Sequence, residues 1–261
     1  MTGIDTLFSV KGKVVIITGG AGMLGRQYAE FLRDAGATVI VFDRAKRPDT
    51  FPQEIQYEGV DITNRSTVCE AVERTAKRNG AIDVLINNAA LNPVPGSKDS
   101  DAQFSPYEEY PEELWRNEIA VGLSGALFCT QAVVPVMKRQ KSGSIINVAS
   151  TYGIVGPDNR IYGEGKFKSI GYATVKGAIP NFSRAWATYL RGTGIRVNTF
   201  TPGGVAAGQP PNFVKEYEAR TVLGRMAQAH EYNGAILFLA SDASSYMTGA
   251  NLIVDGGWTA W

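Results

Sequence analysis

The chain has 261 residues and a hydrophobic content of 44%, which is enough to bury a large core, and α/β chains of this length commonly form one domain. Its 26 Lys and Arg residues balance 25 Asp and Glu residues, leaving a formal net charge of +1, and no run of five or six like charges occurs. This balance argues against nucleic-acid and anionic-membrane partners, and it favours small molecules or further copies of the chain as partners.

Short apolar runs alternate along the chain with amphipathic stretches. The runs cover residues 13–20, 38–43, 56–63, 83–90, 144–150, 195–204 and 251–257, and helical periodicity covers 23–35, 64–79, 111–140, 171–191 and 228–240. Strands that are apolar on both faces and separated by helices are typical of a covered parallel sheet. We therefore predict an α/β fold over residues 1–261: one Rossmann-type domain with a doubly wound parallel sheet of about seven strands flanked by helices. Ligands of such sheets bind beyond the carboxyl ends of the strands.

The first strand runs into the glycine-rich segment TGGAGMLG, residues 18–25, which opens a helix. Gly19, Gly22 and Gly25 would let the backbone turn tightly and approach a pyrophosphate at the helix N-terminus. The next strand ends at Asp43, where a carboxylate can accept hydrogen bonds from ribose hydroxyls and would repel a 2′-phosphate. This favours NAD over NADP as cofactor. The neighbouring Arg44 is the counter-argument, because an arginine can hold that phosphate.

Two long loops, two cysteines and one histidine are the remaining distinctive features of the chain. Residues 92–111 and 201–213 are rich in polar residues, proline or glycine, and loops of this length in compact α/β domains are commonly binding loops. Cys69 and Cys129 stand far apart in helical patterns, and we expect buried thiols. The single histidine, His230, rules out a multi-histidine metal site and suits a helix start or the surface.

Localisation follows from what the sequence lacks. The N-terminal residues show no basic stretch followed by an apolar run, and about eighteen consecutive apolar residues occur nowhere in the chain. We therefore expect a soluble cytoplasmic protein without a membrane partner.

The segment RIYGEGKFKSIGYATVK, residues 160–176, contains Tyr-x-x-x-Lys twice, at Tyr162 and Lys166 and at Tyr172 and Lys176. On a helix such a spacing brings the two side chains onto one face, where an ammonium can tune a phenol. Two glycines separate the first pair, and each costs about 1 kcal/mol inside a helix. The second pair continues into an apolar-periodic segment and is the better helical candidate.

Taken together, these motifs resemble the short-chain dehydrogenase/reductase family almost from end to end. The further motifs that carry the resemblance are VDIT at 60–63, NNAA at 87–90, VAS at 148–150, YATVK at 172–176, IRVNTFTPGG at 195–204 and the closing SDASSYMTGANLIVDGGW. Two family spacings disagree about the tyrosine. Counting from Ser150 indicates Tyr162, whereas counting back from the strand at Ile195 indicates Tyr172. The helix argument decides for Tyr172, and residues 156–169 then form an inserted loop in which Tyr162 is a packing or substrate-contact residue.

The resemblance implies a role for each matching residue. Ser150 would hold the substrate oxygen, Tyr172 would exchange its proton, and Lys176 would bind the nicotinamide ribose and lower the pKa of the tyrosine. The residues placed around the cofactor are Gly19, Gly22, Met23, Leu24, Gly25, Asp43, Arg44, Asp61, Ile62, Asn88, Ala89, Ala90, Tyr172, Lys176, Pro202, Gly203 and Val205, with Asn87 against the adenosine side. Residues 203–222 would form a substrate lid. The resemblance also implies a homotetramer or homodimer, and Trp258 and Trp261 would either meet another subunit or fold back on their own domain.

Three positions depart from the common family pattern. Met23 stands where many members have glycine, and Gly122 replaces an asparagine that is thought to hold a water beside the lysine. Pro180 has no N–H to donate to the carbonyl of Lys176, so a kink or an unpaired carbonyl is expected there. None of these changes removes the proton donor.

The expected activity is a reversible oxidation of an alcohol to a ketone by NAD. Asn92, Asn159, Gln209 and Asn212 in the loops favour a polar, hydroxylated substrate such as a sugar, polyol or nucleotide sugar, and the inserted segment looks like that of enzymes of surface-glycan synthesis. Two alternatives remain open. One is a 3-oxoacyl-carrier-protein reductase, which Asp43 opposes, and the other is a weakly catalytic nucleotide-binding protein, which Gly122 suggests.

Overall fold

Seven parallel strands form one sheet in the computed structural model, which describes residues 3–92 and 101–261. The strands are β1 Val14–Thr18, β2 Thr38–Asp43, β3 Gln56–Gly59, β4 Val84–Asn87, β5 Gly143–Val148, β6 Ile195–Pro202 and β7 Asn251–Val254. Their order across the sheet is β3-β2-β1-β4-β5-β6-β7. The chain therefore reverses its direction of winding between β1 and β4, and this is the switch point at which a doubly wound sheet binds ligands.

The helices cover both faces of this sheet. They are α1 Ile4–Leu7, α2 Met23–Asp34, α3 Arg65–Asn79, α4 Glu112–Ile119, α5 Gly125–Gln140, α6 Ile170–Tyr189, α7 Pro211–Glu218 and α8 Asn233–Ala240. Short 3₁₀ turns lie at Asp101–Phe104, Tyr107–Glu109, Thr151–Gly153, Asn159–Tyr162, Ala229–Tyr232 and Asp242–Ser244. A π-helical turn, Ala120–Ser124, joins α4 to α5.

Two apolar layers hold the helices against the sheet. Alternate side chains of β1, such as Val15 and Ile17, pack with Tyr28 of α2 and Ile236 of α8 on one face. On the other face Ile16 packs with residues of α3 and α5. Burying a large aliphatic side chain contributes about 1.5–3 kcal/mol, so both layers favour one fixed arrangement of strands. The α/β fold predicted from the apolar runs, with seven parallel strands in one domain, is confirmed.

The boundaries of α2, α3 and α6 follow the sequence periodicity closely, whereas α1 was not predicted and the pattern at 111–140 is divided by the π-helical turn. Two segments in the C-terminal half also differ. Residues 211–213, predicted to end a loop, begin the helix α7, because Pro211 occupies a first-turn position where its missing N–H costs nothing. The pattern at 228–240 begins as a 3₁₀ turn and becomes α-helical only at Asn233. Part of the predicted binding loop at 92–111 lies outside the described residues.

One helical stretch in the described ranges is long and apolar enough to cross a membrane by length and composition. It spans the 29 residues Glu112–Gln140, and its most apolar 18-residue window has a mean hydropathy of 1.8 and is 39% buried. Cys129, Val133 and Met137 on this stretch pack into the layer between α3, α5 and the sheet, as in the core helix of an α/β domain.

The two cysteines, the histidine and Trp258 differ in how deeply they are buried. Cys129 is buried, but Cys69 is only half-buried, because it lies at the edge of the face that α3 turns to the sheet; both are free thiols. His230 is exposed in the turn that precedes α8. Trp258 folds back on its own domain and stacks on Tyr217, with ring centroids 4.2 Å apart.

Candidate active site

A cleft of about 730 Å³ opens at the carboxyl ends of the strands, across the switch point. All but one of the residues in the predicted catalytic and cofactor sets line this cleft. Among the residues predicted to contact the cofactor, Asn87, which was placed against the adenosine, does not line the cleft. Asn87 is instead buried in β4, because its side chain lies against the neighbouring strand β5, where it donates to Asn147 Oδ1 at 2.8 Å.

The glycine-rich turn fits a dinucleotide pyrophosphate. Gly19 has a φ of +65°, which favours glycine, and a Cβ there would come within 2.8 Å of Ala89 Cα. At the start of α2, Gly22 caps the helix without any side-chain hydrogen bond, so the N–H groups of the first turn stay open to an anion. Asn88 Nδ2 holds the turn in place by donating to the carbonyl oxygens of Thr18 at 3.0 Å and Gly19 at 3.2 Å.

The adenosine end of the cleft carries the acidic residues. Asp43 accepts hydrogen bonds from the backbone N–H groups of Ala21 at 3.0 Å and Ala45 at 2.9 Å, which fixes its carboxylate between the glycine turn and the end of β2. Asp61 accepts from Thr63, and these hydrogen bonds lower the pKa of Asp61. Arg44 also lines the cleft, so a basic group remains within the same region.

The catalytic end is built by α6 and the end of β5. Tyr172 and Lys176 share one face of α6, and Lys176 Nζ lies 5.6 Å from the centroid of the tyrosine ring. Lys176 is buried and donates to the carbonyl of Val148 at 2.6 Å. Ser150 stands two residues after that strand, and its Oγ accepts from Tyr152 N at 3.3 Å, which leaves its hydroxyl proton for Tyr172 or for a substrate oxygen.

The acidity of these groups is dominated by burial. Burial raises the pKa of Tyr172, and a hydrogen bond to Ser150 opposes that change. Burial also lowers the pKa of Lys176 to about 8. The lysine was expected to lower the pKa of the tyrosine, but the net direction in this structure is upward, because burial outweighs the hydrogen bond to Ser150.

The first Tyr-x-x-x-Lys pair is not assembled in the same way. Tyr162 lies in a 3₁₀ turn, and its hydroxyl hydrogen-bonds to that of Tyr152 at 2.9 Å. Its ring packs between Phe104 and Phe213. Lys166 is half-exposed and pairs with Asp101 at 2.9 Å. Tyr162 therefore lines the cleft as a packing residue, whereas Lys166 lies on the surface.

Two departures from the family pattern have a structural basis. A Cβ on Gly122 would come within 2.5 Å of Val175 Cγ1, so the glycine makes room for the valine that precedes Lys176. The helix α6 continues from Ile170 through Pro180 to Tyr189, and the expected kink does not interrupt it. The carbonyl of Lys176 is instead covered by Gly153, where a side chain would overlap it.

The sequence interpretation missed one charged residue of the cleft, Lys168. This side chain is only 5% exposed, and its Nζ lies 4.2 Å from the centroid of the Tyr172 ring, closer than that of Lys176. It precedes the tyrosine by four residues, as Lys176 follows it by four, and this symmetry was the available signal. Helix spacing alone did not reveal it, because α6 begins only at Ile170, after Lys168.

An aromatic wall also went unpredicted. A buried cluster, against which Tyr162 and Tyr172 pack, forms this wall; its members, most of which line the cleft, are Tyr152, Ile161, Phe213, Tyr217, Met226 and Trp258.

Several loop amides expected to face a substrate are engaged within the protein instead. Gln209 bonds to the backbone of its own loop, and Asn159 accepts from Lys168 N.

Comparison with known proteins decides the family. The model of the family described as Enoyl-(Acyl carrier protein) reductase matches residues 19–259 of this chain. The chain is a short-chain dehydrogenase/reductase.

Relatives with curated functions agree with this assignment. The chain is 32% identical over 259 residues to cis-4-hydroxycyclohexanecarboxylate dehydrogenase of Sinomonas cyclohexanicum, covering 95% of this chain and 97% of the relative. It is 34% identical over 260 residues to the 3-oxoacyl-[acyl-carrier-protein] reductase FabG of Thermotoga maritima, covering 95% and 98%. The short-chain dehydrogenase/reductase described here is thus similar to enzymes with different substrates.

Two solved structures share its fold. The NAD⁺ complex of a short chain dehydrogenase from Leptospira borgpetersenii matches with a TM-score of 0.86 at 32% identity, covering 99% of this chain and 96% of the other. A gluconate 5-dehydrogenase from Burkholderia cenocepacia, in complex with NADP and tartrate, matches with a TM-score of 0.85 at 26% identity and covers 99% and 100%. This short-chain dehydrogenase/reductase is therefore an oxidoreductase acting on CH–OH groups with a nicotinamide dinucleotide.

Proposed function

We propose that the cleft interconverts a secondary alcohol and its ketone on a polar, hydroxylated small molecule such as a sugar or polyol derivative. The observation that carries the proposal is the arrangement of Ser150, Tyr172 and Lys176 in one cleft with the open helix N-terminus at Gly22. Relatives that act on a hydroxy acid and on gluconate support a polar substrate.

Each catalytic residue has a proposed task. Tyr172 accepts the substrate hydroxyl proton during oxidation and returns it during reduction. Ser150 donates its free hydroxyl proton to the substrate oxygen and strengthens this bond as charge develops. Lys176, with two ammonium protons beyond the one it gives to Val148, holds the ribose next to the nicotinamide. Hydride transfer is the chemistry that the bound dinucleotide supplies.

The proposed activity is tested by following NADH absorbance with a panel of cyclic and open-chain secondary alcohols. Saturable NADH formation with a polar member of the panel is expected. A chain that binds NAD but oxidises none of the alcohols, and reduces none of the matching ketones, would instead support the weakly catalytic alternative.

A carrier-protein reductase remains the second candidate, because the similarity to the enzyme from Thermotoga maritima is 34%. The two candidates differ in cofactor and substrate. Reduction of acetoacetyl-CoA by NADPH, faster than reduction of any free ketone of the panel by NADH, would favour the carrier-protein reductase. The position of Asp43 at the ribose end argues for the free alcohol and NAD.

We also propose NAD as the preferred cofactor, and a variant at Asp43 tests this. The carboxylate stands where a 2′-phosphate would approach, so the protein should bind NAD about 10-fold more tightly than NADP. Asp43→Ser should remove or reverse this preference, since Arg44 remains in the cleft. Asp49→Ser, an exposed residue outside the cleft, is the matched control for dissociation constants measured by calorimetry. Tighter binding of NADP by the unchanged protein would contradict the proposal.

Assembly into a homotetramer or homodimer is proposed as well. Part of the apolar surface of Glu112–Gln140 is uncovered in the single chain, and Trp115 and Tyr189 are exposed. Large exposed apolar patches on globular proteins commonly mark interfaces. Light scattering after size exclusion should give two or four times the mass of one chain, and the mass of a single chain would refute the proposal.

Residues 203–222 are proposed to act as the lid, with Phe213 and Tyr217 of α7 facing the cleft.

A further inference from the structure

Lys168 brings a second buried ammonium to the catalytic end of the cleft. Its Nζ lies over the ring of Tyr172 at 4.2 Å and donates to Asn92 Oδ1 at 2.5 Å. The side chain is 5% exposed and lines the cleft. An ammonium has three protons to donate, and one hydrogen bond leaves two of them for a ligand.

The protein supplies this ammonium with little compensating charge. The carboxylate that acts on it from a distance is Glu118 of α4, which does not line the cleft. Glu118 is itself occupied, since Gln103, Tyr110 and Ser169 all donate to it. Within residues 3–92 and 101–261, no carboxylate forms an ion pair with Lys168 inside 4 Å. A buried cation of this kind is costly unless an anion reaches it.

The charges that line the cleft are also unevenly distributed along its length. Asp43, Arg44 and Asp61 lie at the adenosine end, at or just after the ends of β2 and β3, and the two carboxylates there outnumber the one guanidinium. At the catalytic end, the charged side chains among the described lining residues are Lys168 and Lys176. The region that receives the substrate is therefore positive, and an anionic substrate would be both attracted and neutralised there.

The aromatic wall restricts the rest of the substrate. Three rings of this wall, Tyr152, Phe213 and Tyr217, are each less than 10% exposed. Tyr162 and Tyr172 pack against the same cluster. Such rings bind a compact carbon frame better than a chain of hydroxyl groups. The hydroxyls of Tyr152 and Tyr162 share one hydrogen bond, so one phenolic proton remains for a polar group of the substrate.

We infer that Lys168 binds a carboxylate of the substrate, and that the substrate is a compact hydroxy acid or the matching oxo acid, with its carbon frame against the aromatic wall. This inference rests on the proposed function and specifies its substrate class. One ammonium with one neighbouring phenol suits a singly charged carboxylate; a phosphate dianion would call for further donors. Lys168 thus selects the substrate, whereas Tyr172 and Ser150 serve the reacting oxygen.

The test compares two alcohols that differ in the carboxylate. Oxidation of cis-4-hydroxycyclohexanecarboxylate and of cyclohexanol is measured with NAD⁺, and the ratio of their kcat/KM values is the readout. Lys168→Met should lower this ratio about 50-fold, the equivalent of one lost charge-assisted hydrogen bond. Asn92→Asp should lower it as well, because it keeps the lysine but gives it a carboxylate of its own. Lys166→Met, a surface lysine of the same segment, is the matched control and should leave the ratio unchanged.

A binding experiment covers the case in which neither alcohol is the natural substrate. The melting temperature of the protein with NAD⁺ is measured with cyclohexanecarboxylate, benzoate, tartrate and gluconate, and with cyclohexanemethanol as the neutral comparison. At least one carboxylate should stabilise the unchanged protein and fail to stabilise Lys168→Met. Stabilisation by inorganic phosphate alone would assign Lys168 to a phosphate ester and overturn the inference.

Failure of the inference and failure of the proposed function give different results. If Tyr172→Phe abolishes turnover of both alcohols while Lys168→Met leaves their ratio unchanged, the oxidoreductase account stands and the carboxylate inference is wrong. If Tyr172→Phe leaves turnover intact, the proposed function fails whatever Lys168 does. Carboxylates that bind no better than cyclohexanemethanol also overturn the inference.

Discussion

Tyr172→Phe is expected to lower kcat for alcohol oxidation by about 1000-fold, the usual contribution of a positioned proton donor and acceptor. Removing one oxygen leaves the aromatic ring in its place between Lys168 and the wall, so substrate affinity should change little. Initial rates of NADH formation, fitted for kcat and KM separately, measure the effect. A loss confined to kcat would distinguish lost chemistry from lost binding.

The matched control is Tyr162→Phe, which removes the same atom from the neighbouring Tyr-x-x-x-Lys motif. That change breaks the hydrogen bond to Tyr152 but keeps the packing against Phe104 and Phe213. We expect less than about a 10-fold change in kcat/KM, the effect of one neutral hydrogen bond. The opposite outcome, with Tyr162→Phe inactive and Tyr172→Phe active, would mean that the wrong tyrosine has been assigned.

Lys168→Met is expected to stabilise the protein without cofactor by about 3 kcal/mol at pH 6, equivalent to roughly 6 °C in melting temperature. Burial lowers the pKa of Lys168 to about 7, with Glu118 raising it and Lys176 lowering it further. The unfolded chain keeps the ordinary value of about 10.4. Below pH 7 the folded protein carries a buried charge that methionine does not, and methionine keeps the length of the side chain.

The sign of the pH dependence follows from the same values. Between pH 7 and the unfolded pKa, the unfolded chain binds a proton that the folded chain does not. The unfolding free energy of the unchanged protein therefore rises with pH over this range, and the advantage of Lys168→Met should vanish near pH 10. Urea unfolding at pH 6 and near pH 10 measures this difference in unfolding free energy, with Lys166→Met as the surface control. Destabilisation by Lys168→Met at pH 6 would show that the protein already neutralises this charge.

Tyr172 and Lys168 lie in one site, but replacing the first should lower activity whereas replacing the second should raise stability. Tyr172 is needed for chemistry, whereas Lys168 reduces stability and is retained for substrate binding in our account. Residues that bind ligands commonly carry such a cost, because a charge that meets its partner only in the complex is unpaired without it. The exposed Asn92 can be solvated when the lysine is removed, which limits the loss in the variant.

The sheet and most helices could be predicted because their signals are local. Apolar strands such as Val14–Thr18 are buried on both faces, and this pattern is visible in consecutive residues. The choice of Tyr172 over Tyr162 as the helical tyrosine also used a local property, the glycines at 163 and 165, both of which have positive φ in the structure. Helix energetics were sufficient there, although the two family spacings disagreed.

The substrate end could not be predicted because its contacts join distant segments. Lys168 meets Asn92 across 76 residues, and Arg220 after α7 pairs with Asp158 of the inserted loop. Likewise, Asn159 and Gln209 looked available for a substrate, but they satisfy backbone groups of their own loops. A polar side chain in a loop has many possible partners, and composition does not show which one it finds.

Hydride transfer in the cleft is tested most directly by tracing deuterium from the nicotinamide to the product. The protein is incubated with NADH deuterated at both C4 positions and a panel of cyclic ketones that includes 4-oxocyclohexanecarboxylate, and the alcohol is analysed by mass spectrometry. We expect one deuterium at the carbinol carbon with the unchanged protein and with Tyr162→Phe, and almost no product with Tyr172→Phe. Alcohol that lacks deuterium, or undiminished deuterated product from Tyr172→Phe, would contradict this expectation.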